Sequence, residues 1–235
     1  MTMTTTTTRP TLLAIIPAKQ NSRRLPHKNL RKLGGKPLIT HTIECALQCQ
    51  PIDRLIVSTD SQEIKAIAEA SGAEVPFLRP AELASDTATT YAVVSHAVQF
   101  LKETEKKAYD FVIVLQPTSP LRTPADIREA FQLLLASQAD SVVSVDASPL
   151  HASFLYGAEN GYLKPLADYG EDFPKTDFYK LNGAIYISRT ATLAQKGRLL
   201  GDKIVAYPMP ASRSIDIDTP EDFSLAAFYF EKGRP

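Results

Sequence analysis

Short apolar runs bounded by polar turns alternate along most of the chain with segments of helical spacing. Leu12–Pro17 (LLAIIP), Leu55–Thr59 (LIVST), Phe111–Leu115 (FVIVL), Ser141–Val145, Ala184–Ser188 (AIYIS) and Ile204–Tyr207 read as buried strands, with a further short strand over Glu74–Leu78. Leu38–Cys49 repeats apolar residues at Leu38, Ile39, Ile43, Ala46 and Leu47, and Thr89–Lys107 does so at Val93, Ala97, Phe100 and Leu101. Asp60, with Glu63 three residues on, predicts a capped helix to about Ala70. Thr123-Pro124 opens another that buries Phe131, Leu134 and Leu135, and Thr219 precedes a closing helix over Pro220–Phe230. This rhythm predicts an α/β domain: a mostly parallel sheet with right-handed crossovers and helices on both faces.

The rhythm stops over residues 146–182. That stretch carries Phe154, Tyr156, Tyr162, Tyr169, Phe173, Phe178 and Tyr179 but no helical period. It reads as an inserted arm, too short for its own core and expected to bury against a second copy of the chain. The opening MTMTTTTTRP is low in complexity and reads as a disordered tail over 1–10, leaving 11–235 as one domain. With 44% hydrophobic residues, a chain of 235 residues can fill such a core.

Charge changes the picture. Lys plus Arg and Asp plus Glu are equal at 26 each, which argues against a general nucleic-acid or membrane coat. The distribution is lopsided: no acid precedes Glu44, whereas Lys19, Arg23, Arg24, Lys28, Arg31, Lys32 and Lys36 crowd the segment after the first strand. Such concentration marks a localised anion site. Cys45 and Cys49 lie four apart without CxxC spacing, and the four histidines lack metal spacing, so a reducing cytoplasm fits and zinc does not.

In open α/β sheets ligands sit at the carboxyl ends of strands. The polar segments Ala18–Asn29, Arg79–Thr90, Gln116–Arg122 and Asp216–Asp218 all fall there. The first has no glycine between Leu12 and Leu33, so it is neither a Walker loop nor GxGxxG. Asn21 tolerates positive φ and is expected to make the tight turn, and side chains must supply the charge that backbone amides supply elsewhere. A triphosphate fits such a loop, and so does an RNA backbone. Asp216 and Asp218, two apart in an expected strand, would project to one side. A hard cation such as Mg²⁺ relieves their repulsion, so a metal-assisted phosphoryl or nucleotidyl transfer is expected.

The segments IIPAKQNSRRLPHKN, RPAELASDTA, LQPTSPLRTPADIREAF, NGAIYIS and SIDIDT, in this order, resemble the CMP-N-acetylneuraminate synthetases (acylneuraminate cytidylyltransferases) over nearly all of residues 12–225. The resemblance implies a Rossmann-like fold, CTP and Mg²⁺, a nonulosonic acid as acceptor, and a homodimer whose arm reaches the neighbouring site. It implies Lys19, Asn21, Ser22, Arg23, Lys28 and Asn29 around the triphosphate, with Arg79, Ser85 and Thr90 by the nucleotide. It further implies Gln116, Ser119 and Arg122 towards sugar and ribose, and Asp216 and Asp218 on the metal. Lys28, Arg23 and Asp218 would carry the catalysis, and Tyr179, Lys180 and Asn182 would join the sugar side. Departures fall mainly on that side: Lys180-Leu181 stands where the sialate enzymes tend to have Arg-Pro, and Pro149-Leu150-His151-Ala152 lacks an expected Lys. Within the basic loop, Lys19 replaces the usual Arg and Arg23 a common Lys. Two alternatives stay open: a cytidylyltransferase for another acid sugar, and a non-catalytic nucleotide- or RNA-binding module.

Overall fold

The structure is a computed structural model that describes residues 9–147, 150–151, 155–159, 162–165 and 177–233. Six strands form the central sheet: β1 (Leu12–Pro17), β2 (Arg54–Ser58), β3 (Phe111–Val114), β4 (Ser141–Asp146), β5 (Leu181–Arg189) and β6 (Ile204–Met209). Their order is β6-β4-β5-β3-β1-β2. β1 runs parallel to β2 and β3, and β6 parallel to β4. Only β5 is reversed, antiparallel to both β3 and β4. The cause lies in the connection: the chain leaves the carboxyl end of β4 and re-enters the sheet from the same end, and no crossover helix lies between them among the described residues.

The helices are α1 (Leu38–Leu47), α2 (Gln62–Ala70), α3 (Thr90–Thr104), α4 (Pro124–Ala136), α5 (Thr190–Lys196) and α6 (Pro220–Glu231). Leu12, Ala14 and Ile16 of β1 pack into one apolar cluster with α1, α2 and α4, while Leu13 and Ile15 pack into another with α3 and α5. Both faces of the strand are buried, so its sequence is apolar throughout instead of alternating. Thr123 and Thr219 form capping boxes with Asp126 and Asp222 ahead of Pro124 and Pro220, as the residue order predicts.

Three expectations are corrected, and one short helix joins the fold. The cap of α2 is Ser61, whose side chain accepts from the Ile64 amide; Asp60 instead accepts from the Gln20 amide at 2.9 Å. Glu74–Leu78 forms only single bridges to Ile56 and Thr59, because Pro76 removes a donor. Asp216–Asp218 takes no regular secondary structure and pairs in no sheet. Short α5, ended by Gly197 at φ 63°, was not anticipated. Of the arm, Tyr156–Glu159 pairs with Tyr162–Pro165 and Leu150–His151 with Asp177–Phe178. Phe154, Tyr169, Phe173, Pro149, Ala152 and the tail over residues 1–8 lie outside the described residues.

Candidate active-site cleft

β1 lies between β2 and β3, so the crossover direction reverses there and a crevice opens at the strands' carboxyl ends. A cleft of ≈ 200 Å³ occupies it, lined by Pro17, Lys19, Ser22, Lys28 and Asn29 of the basic loop. The other wall comes from Arg79, Ser85 and Thr90 and from Gln116–Thr118 after β3. A second hollow of ≈ 330 Å³ shares Lys19, Ser22 and Lys28 and adds Arg23, Arg24, Asp86 and Asp218. The structure therefore gathers most of the anticipated phosphate-side residues into one continuous depression.

Apolar packing explains why the loop folds over this spot. Leu25 buries with Leu33, Leu38, Ile217 and Ala226, so one small cluster holds the basic loop beside the aspartate segment. Ile217 points into it and its amide donates to the Thr118 carbonyl at 2.8 Å, leaving its neighbours Asp216 and Asp218 free to turn the other way. Ala18 donates to the Ser58 carbonyl and Asn29 Nδ2 to the Lys19 carbonyl, closing the loop at both ends. The left-handed turn residue is His27, at φ 52°, and not Asn21, which is exposed and outside the cleft lining.

Two carboxylates neutralise the loop's cations. Lys28 Nζ donates to Asp218 Oδ1 at 2.9 Å and to the Ile217 carbonyl at 2.8 Å. Arg24 takes the other Asp218 oxygen at 2.6 Å. Across the cleft, Lys19 and Arg23 pair with Asp86 at 2.7 and 2.5 Å, and the Lys19 hydrogen bond leads the interactions that hold the Asp86 carboxyl below its usual range. Arg79 is different. It is buried, donates to the Ser58 hydroxyl and to the Ser58 and Leu83 carbonyls, and pairs with no carboxylate among the described residues. Burial pushes its guanidinium down to about 10, with Asp60 opposing. It thus locks the Arg79–Ser85 wall to the end of β2 while presenting positive charge to the cleft.

Burial likewise pushes the Asp216 carboxyl above its usual value; Thr118, Lys28 and Lys180 oppose the shift and Asp218 adds to it. The Thr118 hydroxyl lies near the Asp216 carboxylate and favours its charged form, but neither Thr118 Oγ1 nor the buried Asp216 Oδ1 has a partner at good hydrogen-bond geometry, a situation that proteins rarely leave uncompensated. A cation beside Asp216 would compensate the first. No group of three or more His, Cys, Asp and Glu gathers among the described residues, so a divalent cation here would need substrate phosphates beside one or two carboxylates. Gly183, at φ +75°, was overlooked in the sequence: a Cβ there would come within 3.0 Å of Gln116 Oε1 and 3.3 Å of Asp216. The Asn182-Gly183 dipeptide, a turn signal inside an apolar strand, was its trace.

Three residues expected on the sugar side form the floor beneath the cleft. Ser119 is fully buried and donates to the Asn182 carbonyl; Arg122 donates to the Ala184 and Gln116 carbonyls. Asn182 accepts from Ser144 Oγ and the Ala184 amide and donates to Ser214 Oγ. Their hydrogen bonds fix Gln116 and Gly183. Tyr179 and Lys180 are exposed on the approach to β5, and Lys180 acts on Asp216 through its charge.

Comparison with known proteins agrees with this picture. A family model for cytidylyltransferases matches residues 13–199. The chain is 39% identical over 222 residues to a CMP-N,N'-diacetyllegionaminic acid synthase of Legionella pneumophila, covering 91% of this chain and 94% of that one. It is 36% identical to an N-acylneuraminate cytidylyltransferase of Escherichia coli O18:K1:H7, covering 93% of this chain but only 52% of the relative, so it spans about half of that longer protein. A pseudaminic acid cytidylyltransferase of Campylobacter jejuni is 29% identical across 93% of this chain and 96% of its own. In fold, the chain is similar to a CMP:2-keto-3-deoxy-manno-octonic acid synthetase solved with CTP, with TM-score 0.69, 21% identity and coverage of 94% and 99%. The expected Rossmann-like nucleotidyltransferase architecture is present, and the chain belongs to the cytidylyltransferase family.

Proposed function

We propose that this protein transfers the cytidylyl group of CTP to a nonulosonic acid, forming a CMP-sugar and pyrophosphate. The observation that carries the reading is the gathering of Lys19, Arg23, Lys28 and Asp218 around one hollow, with Asp216 within electrostatic reach of Lys28, at the switch point of a cytidylyltransferase sheet. The anomeric hydroxyl of the acceptor attacks the α-phosphorus while the bond to the pyrophosphate group breaks. Lys19, Arg23 and Lys28 hold the oxygens on which negative charge grows, and fixed charges of this kind supply much of the catalysis in phosphoryl chemistry. Arg79, Ser85 and Thr90 shape the nucleotide end, with Asn29 fixing the loop; Gln116, Gly183 and Lys180 face the acceptor.

Asp216 and Asp218 are the residues that would hold Mg²⁺, which when bound neutralises phosphate charge and orients the reacting groups. The arm implies a homodimer, and the buried thiols Cys45 and Cys49 suit a reducing cytoplasm. No helix among the described residues is long and apolar enough to cross a membrane.

The acceptor carboxylate needs a cation, and Lys180 offers a point charge without the fork of Arg. Together with the likeness to a legionaminic acid synthase, this favours a nonulosonate other than N-acetylneuraminate. Pyrophosphate release from CTP and Mg²⁺ with a panel of acid sugars tests the reading. The expected kcat/KM for N-acetylneuraminate does not exceed that of the best alternative; a preference for it above ~10-fold, about 1.4 kcal/mol, would contradict that assignment. Release with an eight-carbon keto sugar alone would move the enzyme to a different acceptor class.

A further inference from the structure

Asp86 is a carboxylate that the proposed reaction does not use. It stands across the cleft mouth from the basic loop, its side chain 40% exposed, three residues before the α3 cap Thr89. It caps no helix. Among the described residues its carboxylate engages only two partners, Lys19 through Oδ1 and Arg23 through Oδ2. One oxygen per cation is how a phosphate group would bridge the same pair with two of its non-bridging oxygens. Arg23 has no other ion-pair partner among the described residues and its side chain is 81% exposed, so Asp86 alone holds it over the cleft.

We propose that Asp86 is the internal counter-anion of the phosphate cleft, occupying between Lys19 and Arg23 the place that a phosphate of the nucleotide takes and giving it up when the nucleotide binds. This rests on the nucleotidyl-transfer reading above. A free cluster of cations would attract any polyanion and would retain the pyrophosphate product. An acidic side chain that re-engages the two cations as pyrophosphate leaves lowers the affinity for both. Because these pairs are partly exposed, each is weak, so a triphosphate with several charges displaces the carboxylate while a single inorganic phosphate competes poorly. Asp218 balances Lys28 and Arg24 in a similar way, but its buried partner and its place in the metal pair give it other work.

The test is calorimetric titration of the full chain with inorganic tripolyphosphate and with pyrophosphate, without metal, for the wild type, Asp86→Asn and Asp86→Glu. Loss of the competing charge should tighten both ligands about three- to tenfold in Asp86→Asn, the scale set by exposed pairs. Asp86→Glu, which keeps the charge, should return towards the wild type. With CTP as substrate, Asp86→Asn should show a lower KM for CTP and stronger product inhibition by pyrophosphate, without a rise in kcat. A merely structural role would instead weaken binding and lower the thermal midpoint. Equal or weaker tripolyphosphate binding by a folded Asp86→Asn, when the wild type binds it, overturns the assignment of Asp86 alone. Failure of the wild type to bind tripolyphosphate at all overturns it together with the phosphate-cleft reading. Asp86→Ser serves as a second neutral variant should the amide fold poorly.

Discussion

Lys28 and Asp218, 190 residues apart in sequence, are joined by a 2.9 Å ion pair at the point where the basic loop meets the aspartate segment. The lysine side chain is only 11% exposed and also satisfies the Ile217 carbonyl. Its position is structural as well as electrostatic.

Lys28→Ala is therefore expected to act twice. Loss of a stabiliser of the leaving pyrophosphate should lower turnover at saturating CTP by ~100-fold, on the order of 3 kcal/mol. Loss of the buried bond to Ile217 should lower stability by about 1–3 kcal/mol, read by denaturant unfolding. Near-wild-type turnover would remove Lys28 from the mechanism.

The two aspartates should part company. Asp218 is held by Lys28 and Arg24, so Asp218→Asn strands a buried ammonium and should destabilise the metal-free protein as well as abolish Mg²⁺-dependent turnover. Burial pushes the Asp216 carboxyl above its ordinary value. The folded state thus holds a proton that the unfolded state releases, and the native ionised group costs stability as pH rises through the raised value. Asp216→Asn should be the more stable protein at neutral pH without metal, with the gain fading as pH falls to about 3.8. Thermal melts of both variants from acid to neutral pH check this; a gain for Asp218→Asn and a loss for Asp216→Asn would reverse it.

Gly183→Ala tests the tightest point of the acceptor side. A side chain is strained at φ +75°, and its Cβ would press on Gln116 and Asp216. A stability loss of about 1–3 kcal/mol and a fall in kcat/KM for the sugar larger than that for CTP are expected. Unchanged sugar kinetics would show that this corner does not face the acceptor.

Much of this was legible in the chain. Both faces of β1 are buried, so LLAIIP announces itself, and Thr123-Pro124 and Thr219-Pro220 mark helix starts through local hydrogen bonds that neighbouring residues decide. Tertiary context decided the misses. Asp60 looks like a cap, but the Gln20 amide claims it; Asn21 has the chemistry for a left-handed turn, but the anchoring of Leu25 and the bonds of Lys28 put that turn at His27. For Arg122 and Asn182, expected on the sugar side, the structure shows bonds within the fold: Arg122 donates to the Ala184 and Gln116 carbonyls, and the Asn182 amide bonds the Ser144 and Ser214 hydroxyls. The phosphate side was the more readable because its charge is contiguous in sequence; the proposed acceptor side draws on the segment after β3, on β5 and on the Asp216 segment, which lie far apart in the chain.

The arm should make the protein a dimer. Tyr162 and Leu163 are 79% and 72% exposed on their hairpin, with Tyr179 and Leu181 half-exposed where the chain enters β5, and isologous pairing is the commonest way to cover such residues. Sedimentation at micromolar concentration should show a dimer, and deletion of residues 150–178 a monomer with poor activity. A monodisperse full-length monomer would defeat the idea.

The most direct measurement is ³¹P NMR of CTP and Mg²⁺ incubated with the protein and a nonulosonic acid. The account predicts a new phosphodiester resonance from a CMP-sugar, growing one for one with pyrophosphate and lost in Asp218→Asn. A folded protein that binds CTP but yields no phosphodiester with any nonulosonate or eight-carbon keto acid would contradict it.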